Sequence, residues 1–134
     1  MVNLNDTVVI DTSAWIEFLR GTDSPACNQV DNLLDSSIAT CDPIRMEILA
    51  GATSEENLSD LRALLARATT VPVGPEHYDM GATLYRRARA RGLTVRSTTD
   101  CLIAAIAIDH GIPLLTSDRD FRSLAQVSDL ILAH

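Results

Sequence analysis

The chain contains no lysine; all eleven of its cations are arginines. That absence excludes P-loop nucleotide hydrolases, Schiff-base enzymes and aspartate phosphotransfer domains, each of which places a lysine beside a phosphate or carbonyl. Cysteine is also scarce. Cys27, Cys41 and Cys101 form no C-x-x-C pair and are odd in number, so they read as small buried hydrophobes in a reducing compartment rather than as a zinc or disulfide framework. Long apolar runs are missing as well: the longest, residues 101–108, falls far short of the roughly 20 residues that span a bilayer. With no positively charged apolar leader at its start, a soluble, cytoplasmic protein with no membrane association is the expectation.

What is present is enough for one domain. A chain of 134 residues buries about 68% of the surface that its unfolded form exposes, so a single unit over residues 1–134 is expected, without staples. Its net charge of -7 argues against nucleic acid as a partner, yet Arg86, Arg87, Arg89, Arg91 and Arg96 fall within eleven residues, and segregated charge can act locally. Two readings of this cluster stand: a helix end matched to its dipole, or contacts to a phosphate backbone with Tyr85 stacking nearby.

Strand and helix signals alternate. Residues 8–10 form a β-branched run that stops at Asp11-Thr12-Ser13, as a buried parallel strand would. A short helix follows to Gly21, with Trp15 in the core; Ser24-Pro25 and Asp42-Pro43 each announce another. Strands are expected at 37–41, 69–73, 112–115 and 129–132, the second of these at an edge because of Pro72. Leu58, Leu61, Leu64, Leu65 and Ala68 form a helical stripe, either core or a partner surface. A helix from Pro75 ends near Gly92, and one starting at Ser97 is apolar on nearly every side, hence central. The pattern is that of an α/β fold: a central, mostly parallel sheet flanked by helices.

Four acids fall at strand ends or in the first turns of the helices that follow: Asp11, Glu47, Asp100 and Asp118. Three of them have a bland reading: a helix cap for Asp11, a first-turn acid favoured by the helix dipole for Asp100 and a solvated helix face for Glu47. A parallel sheet, however, collects such ends at one edge. Two carboxylates about 4 Å apart repel by roughly 4 kcal/mol at an effective dielectric of 20, and without lysine a divalent cation is the economical counter-charge. Oxygen ligands select Mg²⁺, or Mn²⁺ in its place, over zinc. His77, His110 and His134 stand apart from these acids in sequence and read as surface or helix-end residues.

The segments Val9-Ile10-Asp11-Thr12-Ser13 with Trp15-Ile16, Met46-Glu47-Ile48-Leu49-Ala50-Gly51, Arg96-Ser97-Thr98-Thr99-Asp100-Cys101-Leu102-Ile103-Ala104-Ala105 and Thr116-Ser117-Asp118-Arg119-Asp120-Phe121 together resemble PIN-domain ribonucleases, specifically the toxins of bacterial VapB–VapC-type toxin–antitoxin pairs. The resemblance implies a PIN-like fold with an acidic pocket at the strand C-terminal edge and Mg²⁺-dependent cleavage of structured RNA. It implies Asp11 and Asp100 as principal metal ligands, Glu47 and Asp118 as completing the catalytic set, and Asp120 as a further acid that binds a second metal or orients Arg119. Thr12, Ser13, Thr116 and Ser117 would support the acids, and Arg96 would contact substrate phosphate or pair with them. A VapB-type antitoxin that binds operator DNA, and a homodimer, are implied in the same way. The competing expectations are a PIN-like binding module without hydrolysis and a structure-specific DNase.

Overall fold

The computed structural model describes residues 6–133. The chain runs β1 (Val8–Ile10), α1 (Thr12–Arg20), α2 (Pro25–Leu33), β2 (Ile38–Thr40), α3 (Asp42–Ala50), α4 (Glu55–Leu65), β3 (Thr69–Thr70), α5 (Pro75–Ala90), α6 (Thr98–His110), β4 (Leu114–Leu115) and α7 (Asp120–Gln126). The strands lie in the order β3-β2-β1-β4. Every pairing is parallel, with Val8 opposite Ile38, Val9 opposite Leu114 and Ala39 opposite Thr69. Parallel neighbours require helical crossovers, which cover the sheet faces, and β1, wholly apolar, and β2, buried throughout and apolar but for Thr40, occupy its centre. Pro72 follows β3, the edge strand, where a missing N–H costs no ladder bond. No helix among the described residues is long and apolar enough to cross a membrane.

The expected central helix is α6: residues from Cys101 to Ala107 are all buried. It ends at Gly111, whose φ of 65° lets its N–H reach the carbonyls of Ala107 and Ile108. Helix α5 packs on α6 through Gly81; a Cβ there would lie 3.2 Å from the Leu102 Cα and N, so glycine sets how closely the two backbones approach. Trp15 and all three cysteines are core residues, and Leu61 and Leu65 of the α4 stripe are buried while Leu58 and Leu64 are partly so. The stripe is chiefly core.

One helix was not expected from the sequence, and two expectations need correction. Helix α7 carries only Phe121 and Leu124 as deeply buried apolar anchors, too few to register as a helical period. The strand expected at 129–132 reduces to a single parallel bridge between Leu114 and Leu132. His77 is a helix-end residue, in the first turn of α5, but not a surface one: it is 3% exposed. His110 does sit in the last turn of α6, and His134 lies outside the described residues.

Candidate functional site

An all-parallel sheet directs the C-terminal ends of its strands to one edge, and that edge carries the acids. Asp11 directly follows β1, Glu47 lies in the helix after β2, and Thr116 to Asp118 follow β4. Asp100, in the first turn of α6, is brought in by the hairpin that α5 and α6 form.

Asp11 is buried and caps α1, its Oδ2 accepting from the Ser13 N–H at 3.3 Å. The same oxygen accepts from Ser13 Oγ at 2.7 Å and Thr116 Oγ1 at 3.0 Å. Those hydroxyls are themselves held: Ser117 N–H donates to Ser13 Oγ and Asp118 N–H to Thr116 Oγ1, each at 3.0 Å. The turn after β1 and the turn after β4 are thus stitched together through two side-chain oxygens. Ser117 takes part with its main chain, and Thr12 turns elsewhere, donating to Glu47 Oε1 at 3.0 Å.

The other acids form a second network around Arg96. Asp118 Oδ1 accepts from Asp120 N–H and from Arg96 Nη2, and Asp120 Oδ2 accepts from Arg96 N–H and Nε, all at 3.0 Å. Asp100, Asp118 and Asp120 each offer a carboxylate oxygen lying within 4.8 Å of the other two. Oxygens about 2.0–2.6 Å from one ion are separated by no more than about 5 Å, so this donor set fits a hard divalent cation.

The electrostatics agree. Burial, then the charges of Asp11, Asp118, Glu47 and Asp120, push the Asp100 carboxyl up to about 7. Burial likewise raises Asp11 against its hydroxyl donors. Glu47 is largely solvent-facing, yet partial desolvation raises it against the bond from Thr12, with the charge of Asp11 adding. Asp120 moves the other way: burial alone would raise it, but the Arg96 hydrogen bonds and charge hold it below the ordinary carboxylate value. Several acids held close together with one arginine leave negative charge that a cation would relieve.

A second cluster, His77, Asp109 and His110, also places ligand atoms within 4.8 Å of one another. Its hydrogen bonds argue for a structural role. Gly74 N–H donates to His77 Nδ1 at 2.9 Å, which assigns the proton to Nε2, facing Asp109 Oδ2 at 2.8 Å. His110 Nε2 donates to the Pro72 carbonyl. An ion on His77 Nε2 would have to displace the proton that the Gly74 bond dictates, so the cluster ties the start of α5 to the end of α6. Sequence spacing gave no signal of it.

The arginines divide by role. Arg87 Nη1 donates to the Val127 carbonyl at 2.9 Å and Arg91 Nη1 to that of Gln126 at 3.4 Å, fastening α5 to the end of α7. Arg89 stands over the Tyr85 ring, 5.7 Å from its centroid. Arg86 is exposed and has no side-chain partner among the described residues. Because α5 leads directly into α6, this basic helix end lies at the same end of the hairpin as Asp100.

The sequence profile of the PIN domain matches residues 8–127. The chain belongs to the PIN-domain family. Within it the chain is 42% identical over 127 residues to the VapC ribonuclease Mb1587 of Mycobacterium bovis and to ribonuclease VapC11 of Mycobacterium tuberculosis, covering 92% of this chain and 95% of each relative, which places it in the VapC branch. Among solved structures, VapBC2 from Rickettsia felis, bound to a DNA fragment from its promoter, superposes with a TM-score of 0.76 at 20% identity, over 95% of this chain and 97% of that one. VapBC-5 from Mycobacterium tuberculosis superposes with a TM-score of 0.65 at 26% identity, over 95% and 98%. The acidic edge of this PIN domain therefore lies within the matched region, from Asp11 to Asp120.

Proposed function

We propose that this PIN domain is a Mg²⁺-dependent endoribonuclease, the toxin of a type II toxin–antitoxin pair, that hydrolyses phosphodiester bonds in structured RNA such as tRNA or rRNA and so inhibits translation. The observation that carries the reading is the convergence of Asp100, Asp118 and Asp120 within 4.8 Å, electrostatically coupled to Asp11 and Glu47. Asp11 and Asp100 would be the principal ligands, with Glu47, Asp118 and Asp120 completing the set. An ion held there supplies charge neutralisation at a phosphodiester oxygen and a lowered pKa for water. Mn²⁺ can substitute on the same oxygen chemistry.

The chain's own residues supply the rest. Ser13 and Thr116 lock Asp11 in one orientation, so the carboxylate needs no rearrangement when a cation and phosphate arrive. Glu47, fixed by Thr12 and raised above its ordinary pKa, is suited to accept a proton from attacking water. Attack opposite the 3′ oxygen would leave a 5′-phosphate and a 3′-hydroxyl.

Arg86, Arg87, Arg89 and Arg91 are proposed as RNA contacts, Arg86 and Arg89 foremost because neither is spent on a carbonyl. Replacing both with alanine should reduce the slope of log affinity against log salt by roughly 1.5; an unchanged slope, measured by filter binding across a salt series, would remove them from the interface.

A VapB-type antitoxin is the proposed inhibitor, binding operator DNA on the pair's behalf, and a homodimer is the proposed toxin state in the cytoplasm. A groove of about 450 Å³ lined by Ile16, Leu19, Arg20, Glu47, Ile48 and Leu61 adjoins the acidic edge, apolar enough to seat an antitoxin helix beside Glu47. The test of activity is incubation of the purified chain with cellular RNA and Mg²⁺, with mapping of new 5′ ends. Discrete 5′-phosphate ends that vanish on chelation are expected. Saturable metal binding without cleavage would favour a silent binding module, and preferential cutting of branched DNA a structure-specific DNase.

A further inference from the structure

We propose that the Arg96 guanidinium is a resident cation of the acidic pocket, occupying the side of Asp118 and Asp120 where a further divalent ion would otherwise sit. This rests on the metal-dependent reading above. Asp118 Oδ1 and Asp120 Oδ2 each receive two N–H donors, one from the Arg96 side chain and one from a main-chain amide, all at 3.0 Å. Arg96 thereby bridges the two carboxylates, as a metal would, through Nη2 on one and Nε on the other. A carboxylate oxygen engaged by two N–H groups has little capacity left for an ion, so each acid is restricted to its other oxygen. Paired-ion sites, with ions about 3.5–4 Å apart, depend on shared ligands on both sides.

The Arg96 side chain is 68% exposed, but the carboxylates it bridges are anchored more firmly than those of an ordinary surface ion pair. Asp120 is buried, the Arg96 main-chain N–H binds the same Oδ2 as its Nε, and Asp120 N–H fixes Asp118. Deleting the side chain therefore leaves both acids held by main-chain donors and frees one acceptor site on each. Those two sites face the space the guanidinium vacates. Arg96 is a positioning residue in this reading: it orients Asp118 and Asp120 and sets how many ions the pocket takes. An RNA phosphate seeking Arg96 would first have to compete with two carboxylates already bonded to it.

The experiment is a Mn²⁺ titration of the full chain by calorimetry, with free Mn²⁺ counted independently by electron paramagnetic resonance. Arg96→Ala and Arg96→Gln are each expected to take up one ion more per chain than the unsubstituted protein. Arg96→Lys, which keeps the charge, is expected to retain the original count. Should Arg96→Ala fail to fold, Arg96→Gln, with its donor amide, carries the measurement. An unchanged count in a variant with native melting behaviour overturns the inference while leaving metal dependence intact. No Mn²⁺ uptake by the unsubstituted chain, together with RNA cleavage that survives chelation, would instead overturn the metal-dependent reading itself.

Discussion

Asp100→Asn is expected to lower RNA cleavage by at least about 10²–10³-fold, the loss that follows removal of one preorganised electrostatic group, and to make the metal-free protein more heat-stable at neutral pH. The two effects share a cause. In the fold the Asp100 carboxyl titrates near 7, against an ordinary value of 3.8, because burial and four neighbouring acids disfavour its charge. Between those values the folded chain holds a proton that the unfolded chain has released. Stability in that window falls as pH rises, and levels off once the folded group has also ionised. The contribution is complete below the unfolded value and gone above about 7.

Asparagine cannot ionise, so the variant should lack this decline and melt several degrees higher than the parent at about pH 8, with little difference at about pH 4. Asp11 and Glu47 are raised as well and add decline of the same sign. Asp120 is lowered, so its contribution is present above the ordinary carboxylate value and lost only as pH falls into the more acidic range, outside this window. Mg²⁺ should restore the parent's deficit, with apparent affinity rising toward pH 7 as proton and ion compete for Asp100. Melting curves across this pH range, with and without Mg²⁺, measure the linkage. An Asp100→Asn protein that still cleaves RNA would remove Asp100 from the chemistry.

Phe121→Ala should cost about 3–5 kcal/mol, a fall of roughly 10 °C or more in melting temperature for a domain of this size. Phe121 and Leu124 are wholly buried, and they anchor α7. Helix α7 begins at Asp120, whose N–H holds Asp118, so loss of the anchor should also weaken Mg²⁺ binding at temperatures where the variant remains folded. Leu130→Ala is the control: Leu130 is buried but lies beyond α7, so it should lose stability with little loss of affinity. Phe121→Ala with parental Mg²⁺ affinity would show that Arg96 and the main chain hold the two acids without help from α7.

The bland and functional readings of Asp11 proved compatible in structure. One oxygen caps α1 and, through Ser13 and Thr116, is tied to the turn after β4; capping is part of how the acid is aimed. The arginine cluster was legible as charge but not as roles, because two of its members are spent on carbonyls at the end of α7, a helix too short to announce itself. The burial of His77 went unread for a similar reason. Its partners are Gly74, which precedes α5, and Asp109 and the stacked His110 ring from the end of α6, and nothing local in the sequence marks that a histidine will be buried there.

Local chemistry determined much of this protein: β-branched runs make strands, Ser24-Pro25 and Asp42-Pro43 start helices, an all-apolar segment becomes the central α6, and the absence of lysine leaves the acids without a flexible counter-charge. These features act over a few residues or over composition, and both can be read along the chain. Tertiary structure decided what depends on distance between remote segments. It set the shared donors on Asp11 Oδ2, the rise of Asp100 to about 7, and the choice of Arg96, among eleven arginines, as the one bonded to both Asp118 and Asp120. Burial and Coulomb interactions depend on spatial proximity, which only the folded chain brings about.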